Sequence, residues 1–284
     1  MNALRRRLGK SFPYAPFPFH AGISARLAWL RGPLRGFRLA LHLLAGVALV
    51  AVVKLDFRGW LRPEPLTRWW NRQLLNLLHV RVTVRGTPPR GPHLLVCNHI
   101  SWLDIPVVAA CELTRFVSKA EVHDWPVAGW LADAAGSFYI RRGAGGTKLL
   151  TRDMAVHLKK GSVTLFPEGT TTDGSGMLRF QPRLFAAAIE GGAPVQPVAL
   201  RYGRAANGEN IAPYIGDDRL IDNLRRLLRE PELRVELNYC EPIYPAAGQD
   251  RSSLAVAAHA AICGVVAPDS LVVATADADE SLAA

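Results

Sequence analysis

Short apolar runs alternate with helical patterns along most of this chain, and this alternation constrains the fold more than any other feature. Runs such as His93–Cys97 and Val163–Phe166 are too short for helices, and this pattern is typical of strands buried on both faces. Further strands are predicted at 80–84, 116–118, 137–140, 195–200 and 233–239, and helices near 126–134, 147–160, 183–191, 219–229 and 251–265. The sequence therefore predicts an α/β fold with a largely parallel central sheet covered by helices.

The 284 residues are enough for one α/β domain with an appendage. We divide the chain into a basic N-terminal segment at 1–35, a pair of membrane-associated helices at 36–80, the main domain at 81–250, and a C-terminal helix with a loose tail at 251–284. The two helices at 36–80 form the membrane-facing region of the predicted fold.

The net charge of +10 is concentrated near the N-terminus. No acidic residue precedes Asp56, and a basic segment of this kind binds nucleic acid or anionic lipid. The apolar run Leu39–Val53 that follows favours a membrane, so we expect no nucleic-acid partner. As a helix this run would measure about 22 Å, which is short of the ~30 Å hydrocarbon core. It is predicted to cross a thinned bilayer, enter one leaflet or lie at the interface; a buried core helix is the alternative.

The stretch Pro65–Val80 has an apolar stripe at helical spacing. Trp69 and Trp70 lie beside Arg68 and Arg72, a combination that suits a membrane interface. The alternative is that the stripe packs on the main domain. The cationic flanks predict a membrane location at the cytoplasmic face of the inner or plasma membrane.

His99 and Asp104 follow the first of the buried strands. Residues five apart point about 140° away from each other in a continuous helix, so only a turn leading into a first helical turn would let Asp104 reach His99. If they meet, Asp104 accepts a hydrogen bond from the protonated ring nitrogen of His99, and the other nitrogen is then a base for a substrate hydroxyl. A structural histidine is the alternative. Ser101 lacks the G-x-S-x-G turn of a serine nucleophile.

Glu168 also follows a predicted strand, in the block Phe166–Thr170. Ligands of open α/β sheets bind outside the carboxyl ends of the strands, so His99 and Glu168 are predicted to share a site. The alternative for Glu168 is a turn residue that caps a helix or binds a basic side chain. The four cysteines show no C-x-x-C pairing, which predicts reduced thiols and no metal site.

Four sequence blocks resemble those of the glycerolipid acyltransferase family, which includes 1-acylglycerol-3-phosphate acyltransferases. Asn98–Asp104 (NHISWLD) resembles the NHxSxxD motif, and Phe166–Thr170 (FPEGT) resembles the third block. Gly136–Arg141 is similar to the second block and Ala193–Val198 to the fourth. The blocks occur in the family's order.

The resemblance implies transfer of an acyl group from acyl-CoA or acyl carrier protein to a lysolipid hydroxyl, with membrane lipids as partners and neither cofactor nor metal. It implies that His99 is the base and that Asp104 orients it. Arg141 and Lys119 are candidates for an anionic headgroup or the donor's phosphates, or else are solvated surface charges. The substrate-binding residues that it implies are Glu168, Gly169, Thr170, Arg141 and Lys119.

The third block departs from the family at Thr171, where an arginine tied to phosphate binding is usual. The acceptor predicted first is 1-acylglycerol-3-phosphate, which yields phosphatidic acid in phospholipid biosynthesis. Forms with EGT-Thr resemble members that acylate lyso-ornithine lipid or other lysophospholipids, which is the alternative. Arg179 and Arg183 could substitute for the missing cation. A non-catalytic membrane lipid-binding protein and a thioester hydrolase are the functions from other classes.

Overall fold

The computed structural model describes residues 31–56, 63–125, 128–140, 144–205 and 207–266. The helices are α1 (Arg31–Leu55), α2 (Pro63–Leu77), α3 (Asp104–Cys111), α4 (Ala128–Ala134), α5 (Ala144–His157), α6 (Ala186–Gly191), α7 (Leu220–Arg229) and α8 (Arg251–Val266). The strands are β1 (Val80–Arg85), β2 (Leu94–Cys97), β3 (Thr114–Lys119), β4 (Phe138–Ile140), β5 (Ser162–Leu165), β6 (Val195–Tyr202) and β7 (Leu233–Tyr239). Short 3₁₀ turns follow β3 and precede α6.

The seven strands form one sheet in the order β1-β7-β6-β2-β5-β3-β4. All neighbouring pairs are parallel except β6 and β7, which are antiparallel. The predicted α/β fold with a largely parallel sheet covered by helices is therefore confirmed. β2 lies between β6 and β5, so the segments that follow these three strands meet at one edge of the sheet.

Each face of the sheet packs against its own set of helices. Successive side chains of a strand point to opposite faces, and in β2 Leu95 and Cys97 contact one core while Leu94 and Val96 contact the other. The first core takes its helical residues from α1, α2, α3 and α7. The second takes them from α5, α6 and α8. The two N-terminal helices and α8 therefore lie on opposite faces of the sheet.

Helix α1 is longer than the apolar run Leu39–Val53 suggested, because the residues on both sides continue the helix. Its 25 residues span about 37 Å. An apolar window of this helix has a mean hydropathy of 2.1, and only 11% of that window is buried. By length and composition, α1 is therefore apolar and long enough to cross a bilayer.

Helix α2 packs on the main domain and on α1. Leu74, Leu75 and Leu78 lie in the first core, which matches the packing alternative for this stripe. Trp70 stacks on His42 of α1 with ring centroids 4.6 Å apart. Trp69 remains exposed on the other side. The stripe thus joins α1 to the domain, and Trp69 stays available to an interface.

Candidate active site

The end of β2 is fixed by Asn98, which is buried. Its side-chain amide donates to the carbonyl of Leu200 at 3.0 Å, and its side-chain oxygen accepts from the amide of Leu200 at 2.7 Å. Asn98 therefore joins the segment beyond β2 to β6 in the manner of one further strand residue. The chain turns immediately afterwards, and α3 begins at Asp104.

This turn brings His99 and Asp104 together. Nδ1 of His99 lies 2.7 Å from Oδ2 of Asp104, which is the contact that a turn into a first helical turn was expected to allow. The Asp104 side chain is 0% exposed, whereas that of His99 is 20% exposed. The pair is therefore anchored inside the protein at Asp104 and reaches the surface at His99.

Four donors hold the Asp104 carboxylate. Oδ2 accepts from Nδ1 of His99 and from the backbone amides of Ile100 at 2.8 Å and Ser101 at 2.9 Å. Oδ1 accepts from the hydroxyl of Tyr202 at 2.6 Å. A buried carboxylate is costly unless it is hydrogen bonded, and these four contacts offset that cost while fixing its position.

Tyr202 is a site residue that the sequence analysis did not find. It is the last residue of β6, so it lies at the same edge of the sheet as His99. Burial, followed by the Asp104 carboxylate, raises the pKa of Tyr202 well above its usual value, so the phenol stays protonated and donates. The available signal was its place at the carboxyl end of the strand that carries the fourth block.

The His99 ring stacks on Phe166, with centroids 4.2 Å apart and an interplanar angle of 20°. Because Nδ1 is bound to Asp104, the ring has only Nε2 left for another partner. No residue of the described ranges hydrogen bonds to this nitrogen. The arrangement presents one basic nitrogen, with its orientation set by Asp104 on one side and Phe166 on the other.

Glu168 braces the backbone of this site. Oε1 accepts from the amide of His99 at 2.7 Å, and Oε2 accepts from the amide of Leu178 at 2.8 Å. Burial raises the pKa of Glu168, and the two backbone hydrogen bonds oppose that rise. The carboxylate of the third block therefore ties the first block to the segment at Leu178, and its predicted role in substrate binding stays a prediction.

Gly169 and Thr170 follow at the exposed mouth of the site. Gly169 has φ +75°, a left-handed conformation that glycine adopts without strain. The hydroxyl of Thr171 donates to the carbonyl of Tyr214, and the amide of Tyr214 donates to the carbonyl of Ile100 at 3.0 Å. Thr171 is thus engaged within the protein, and it ties the end of the third block to the segment at Tyr214.

Lys119 and Arg141 are the other predicted site residues. Lys119 ends β3, which is separated from β2 by β5, so it lies at the same edge but not beside His99. Arg141 lies outside the described residues. Across the described residues, no group of three or more His, Cys, Asp or Glu side chains could hold a metal ion. All four cysteines are free, and burial raises the pKa of Cys97.

Comparisons with known proteins agree with this geometry. The family model described as Acyltransferase matches residues 79–201, which include both halves of the site. A lyso-ornithine lipid O-acyltransferase of Pseudomonas aeruginosa is 44% identical over 242 residues, covering 83% of this chain and 93% of the relative. A 1-acyl-sn-glycerol-3-phosphate acyltransferase of Neisseria meningitidis is 32% identical over 202 residues, covering 70% and 79%.

A solved structure shares the fold. The crystal structure of the 1-acyl-sn-glycerophosphate acyltransferase PlsC from Thermotoga maritima has a TM-score of 0.55 and 22% identity, covering 82% of this chain and 96% of that one. The fold and the relatives together define the class of the protein, an α/β transferase. This chain belongs to the acyltransferase family, and it is an acyltransferase. The resemblance read from the four sequence blocks is confirmed.

Proposed function

We propose that this enzyme is a lysolipid O-acyltransferase that moves an acyl group from a thioester donor to the hydroxyl of a lysolipid. The observation that carries the proposal is the contact between Nδ1 of His99 and the buried carboxylate of Asp104 at 2.7 Å. It leaves Nε2 as the free nitrogen of a partly exposed ring. The relatives' names supply the lysolipid class of the acceptor.

His99 is the general base in this proposal. Nδ1 keeps its proton and donates a hydrogen bond to Asp104, so Nε2 is unprotonated. Nε2 takes the proton of the lysolipid hydroxyl as the oxygen attacks the thioester carbonyl. Asp104 stabilises the imidazolium that forms, and general base catalysis of this kind contributes about 10²–10⁴-fold. The tetrahedral intermediate then expels the thiolate, which takes the proton back from Nε2 and leaves as a free thiol.

Backbone amides at the mouth of the site supply the oxyanion donor. The Thr170 amide follows Gly169, and no acceptor for it lies in the described ranges. One such donor is worth about 3 kcal/mol of transition-state stabilisation. The donor substrate is acyl-CoA or acyl carrier protein, and no covalent acyl-enzyme is needed because the acceptor oxygen attacks directly.

Lyso-ornithine lipid is the acceptor that we favour. The relative of P. aeruginosa that carries this name is 44% identical, against 32% for the 1-acyl-sn-glycerol-3-phosphate acyltransferase of N. meningitidis. The Thr171 hydroxyl is bound to the Tyr214 carbonyl, so position 171 offers no cationic fork to a phosphate. 1-Acylglycerol-3-phosphate, the acceptor that the sequence predicted first, is the second candidate.

The enzyme works at a bilayer, where its acceptor resides. Helix α1 supplies an apolar segment. The basic residues near it favour the cytoplasmic face of the inner or plasma membrane as the location of the main domain. The exposed Trp69 on α2 suits the interface.

A lysolipid panel tests the proposal. Purified full-length protein in vesicles is given a labelled acyl donor and equal amounts of lyso-ornithine lipid, 1-acylglycerol-3-phosphate and lysophosphatidylethanolamine. We expect acylated lipid, with the highest kcat/KM on lyso-ornithine lipid. Free fatty acid without acylated lipid would indicate a hydrolase. Vesicle binding without turnover of any acceptor would indicate a lipid-binding protein.

A further inference from the structure

A groove lies between the segment that follows the third block and helix α8. Its volume is about 340 Å³, within the range of roughly 300–1,000 Å³ for small-molecule sites. Met177 and Phe180 form one wall, and Ala255 and Val256 form the other. The polar groups are few, and they include Arg179 and His259. The groove therefore suits a slender, largely apolar ligand with a charged end.

The groove is built onto the candidate active site. The amide of Leu178, in the wall segment, donates to the same Glu168 carboxylate that accepts from the amide of His99. The amide of Gln181 donates to the carbonyl of Pro167 at 2.9 Å, and this bond joins the two ends of the segment 167–181. The two hydrogen bonds to Glu168 therefore connect the backbone of this wall, through the Glu168 side chain, to the backbone of His99.

Three arginines lie around the groove. Arg179 lines it, Arg183 follows in the next turn, and Arg251 begins α8 next to a lining residue. All three are exposed, and none forms an ion pair with a carboxylate in the described part of the chain. The nearby Asp250 accepts from the amides of Ser252 and Ser253 and caps the helix. Unpaired guanidinium forks favour a phosphate.

We propose that this groove binds the phosphopantetheine arm of the acyl thioester donor, with its phosphate on Arg179 and Arg183 and its sulfur end directed to His99. The inference rests on the proposed function. The arm is a narrow chain with a branched apolar centre and two amides, which suits apolar walls with few polar groups. The same arm occurs in acyl-CoA and in acyl carrier protein, so the shared chemistry is the ligand.

The placement of the groove separates it from the lipid acceptor. Helices α1 and α2, which face the membrane in the proposed function, contribute to the first core, and α8 contributes to the second core on the opposite face of the sheet. The water-soluble donor therefore approaches from one face and the embedded acceptor from the other. Arg179 and Arg183 serve the donor in this arrangement, and they do not replace the family's acceptor-binding arginine.

The test measures KM for each substrate separately. We expect the double substitution Arg179→Gln/Arg183→Gln to raise the donor KM about tenfold or more, while the acceptor KM stays unchanged. Arg90→Gln is the matched control, because Arg90 is an exposed arginine in the loop before β2, at the other end of that strand. Val256→Trp places a large side chain in the groove wall, at a position that is 64% exposed. This variant should also raise the donor KM, because it blocks the arm rather than removing a charge.

Separate assays with acyl-CoA and acyl carrier protein identify the source of the arm. A rise in donor KM with either supports the groove, and the donor that shows it is the one the enzyme uses. CoA should inhibit the wild-type enzyme more strongly than pantetheine, which lacks the phosphate. Unchanged donor KM in both variants, or a rise in acceptor KM alone, would overturn the inference. A wild-type enzyme that transfers no acyl group would instead overturn the proposed function.

Discussion

Each end of β2 carries a histidine, a carboxylate and a tyrosine in contact, but the histidine is partly exposed at one end and buried at the other. At the carboxyl end, His99 contacts Asp104, and Tyr202 donates to the carboxylate. At the amino end, Nε2 of His93 lies 2.6 Å from Oε1 of Glu112, and Tyr239 donates to Oε2 at 3.0 Å. Helix α3 links the trios, since Asp104 begins it and Glu112 follows its last residue.

The difference lies in the second ring nitrogen. The His93 side chain is 2% exposed, and its Nδ1 lies 2.8 Å from the carbonyl oxygen of Gly91. Both nitrogens of His93 therefore lie against a protein oxygen, although Nε2 meets Glu112 at ion-pair distance without hydrogen-bond geometry. His99 is 20% exposed, and its Nε2 has no hydrogen-bond partner among the described residues. A histidine–carboxylate pair thus indicates catalysis only where the chain leaves a nitrogen open to substrate. The comparison predicts loss of rate at one end and loss of stability at the other.

The largest effect is expected at the two carboxylates. Asp104→Asn should lower kcat by about 10³–10⁴-fold, because the amide stabilises the wrong imidazole tautomer. Glu112→Gln should leave kcat per folded molecule unchanged while lowering the melting temperature. Kinetics and thermal unfolding on the same preparations measure both. Loss of kcat in the Glu112 variant would break the comparison.

Substitution of the two tyrosines tests the same difference between the two ends of β2, and it should disturb the fold less than substitution of the carboxylates. Tyr202→Phe removes one donor to Asp104 and should lower kcat about tenfold, the equivalent of ~1.4 kcal/mol, with little change in KM. Tyr239→Phe should reduce stability without a kinetic effect. A Tyr202→Phe variant with wild-type kcat would contradict the positioning role.

The fold and part of the site could be predicted from the sequence because they depend on local patterns. Buried strands are short apolar runs, and each strand or helix with predicted bounds begins and ends within three residues of them, apart from α1. The contact of His99 with Asp104 depends on a turn within one block, so it was also predictable. Tyr202 is 98 residues from Asp104, and only the strand order brings the two together.

Thr171 tests the proposed acceptor preference, with a smaller expected effect. Thr171→Val removes the hydroxyl that donates to the Tyr214 carbonyl but keeps the side-chain size. We expect a change of about two- to fivefold in the acceptor KM, with the donor KM unchanged, since one neutral hydrogen bond is worth about 1 kcal/mol. Thr114→Val, at the far end of β3, is the control. An effect on the donor KM alone would argue against an acceptor-side position.

Glu168 gives the smallest effect, a pH dependence of stability. Burial raises its pKa in the folded state above the unfolded value, so the folded protein holds this proton more tightly. The contribution of Glu168 to stability therefore falls as pH rises from the unfolded pKa through the folded one. Glu168→Gln should flatten the melting temperature against pH in that window. An unchanged slope would show that the two backbone hydrogen bonds cancel the effect of burial.

The most direct test of the central claim is the single-turnover rate of acyl transfer by His99→Ala, measured beside His123→Ala. His123 is an exposed histidine that also contacts an aspartate, Asp133, at 3.1 Å. We predict that the His99 variant binds vesicles and unfolds at the wild-type temperature but loses at least about 10²-fold in rate, whereas the His123 variant keeps the wild-type rate. Near-wild-type transfer by folded His99→Ala would contradict the assignment of His99 as the base.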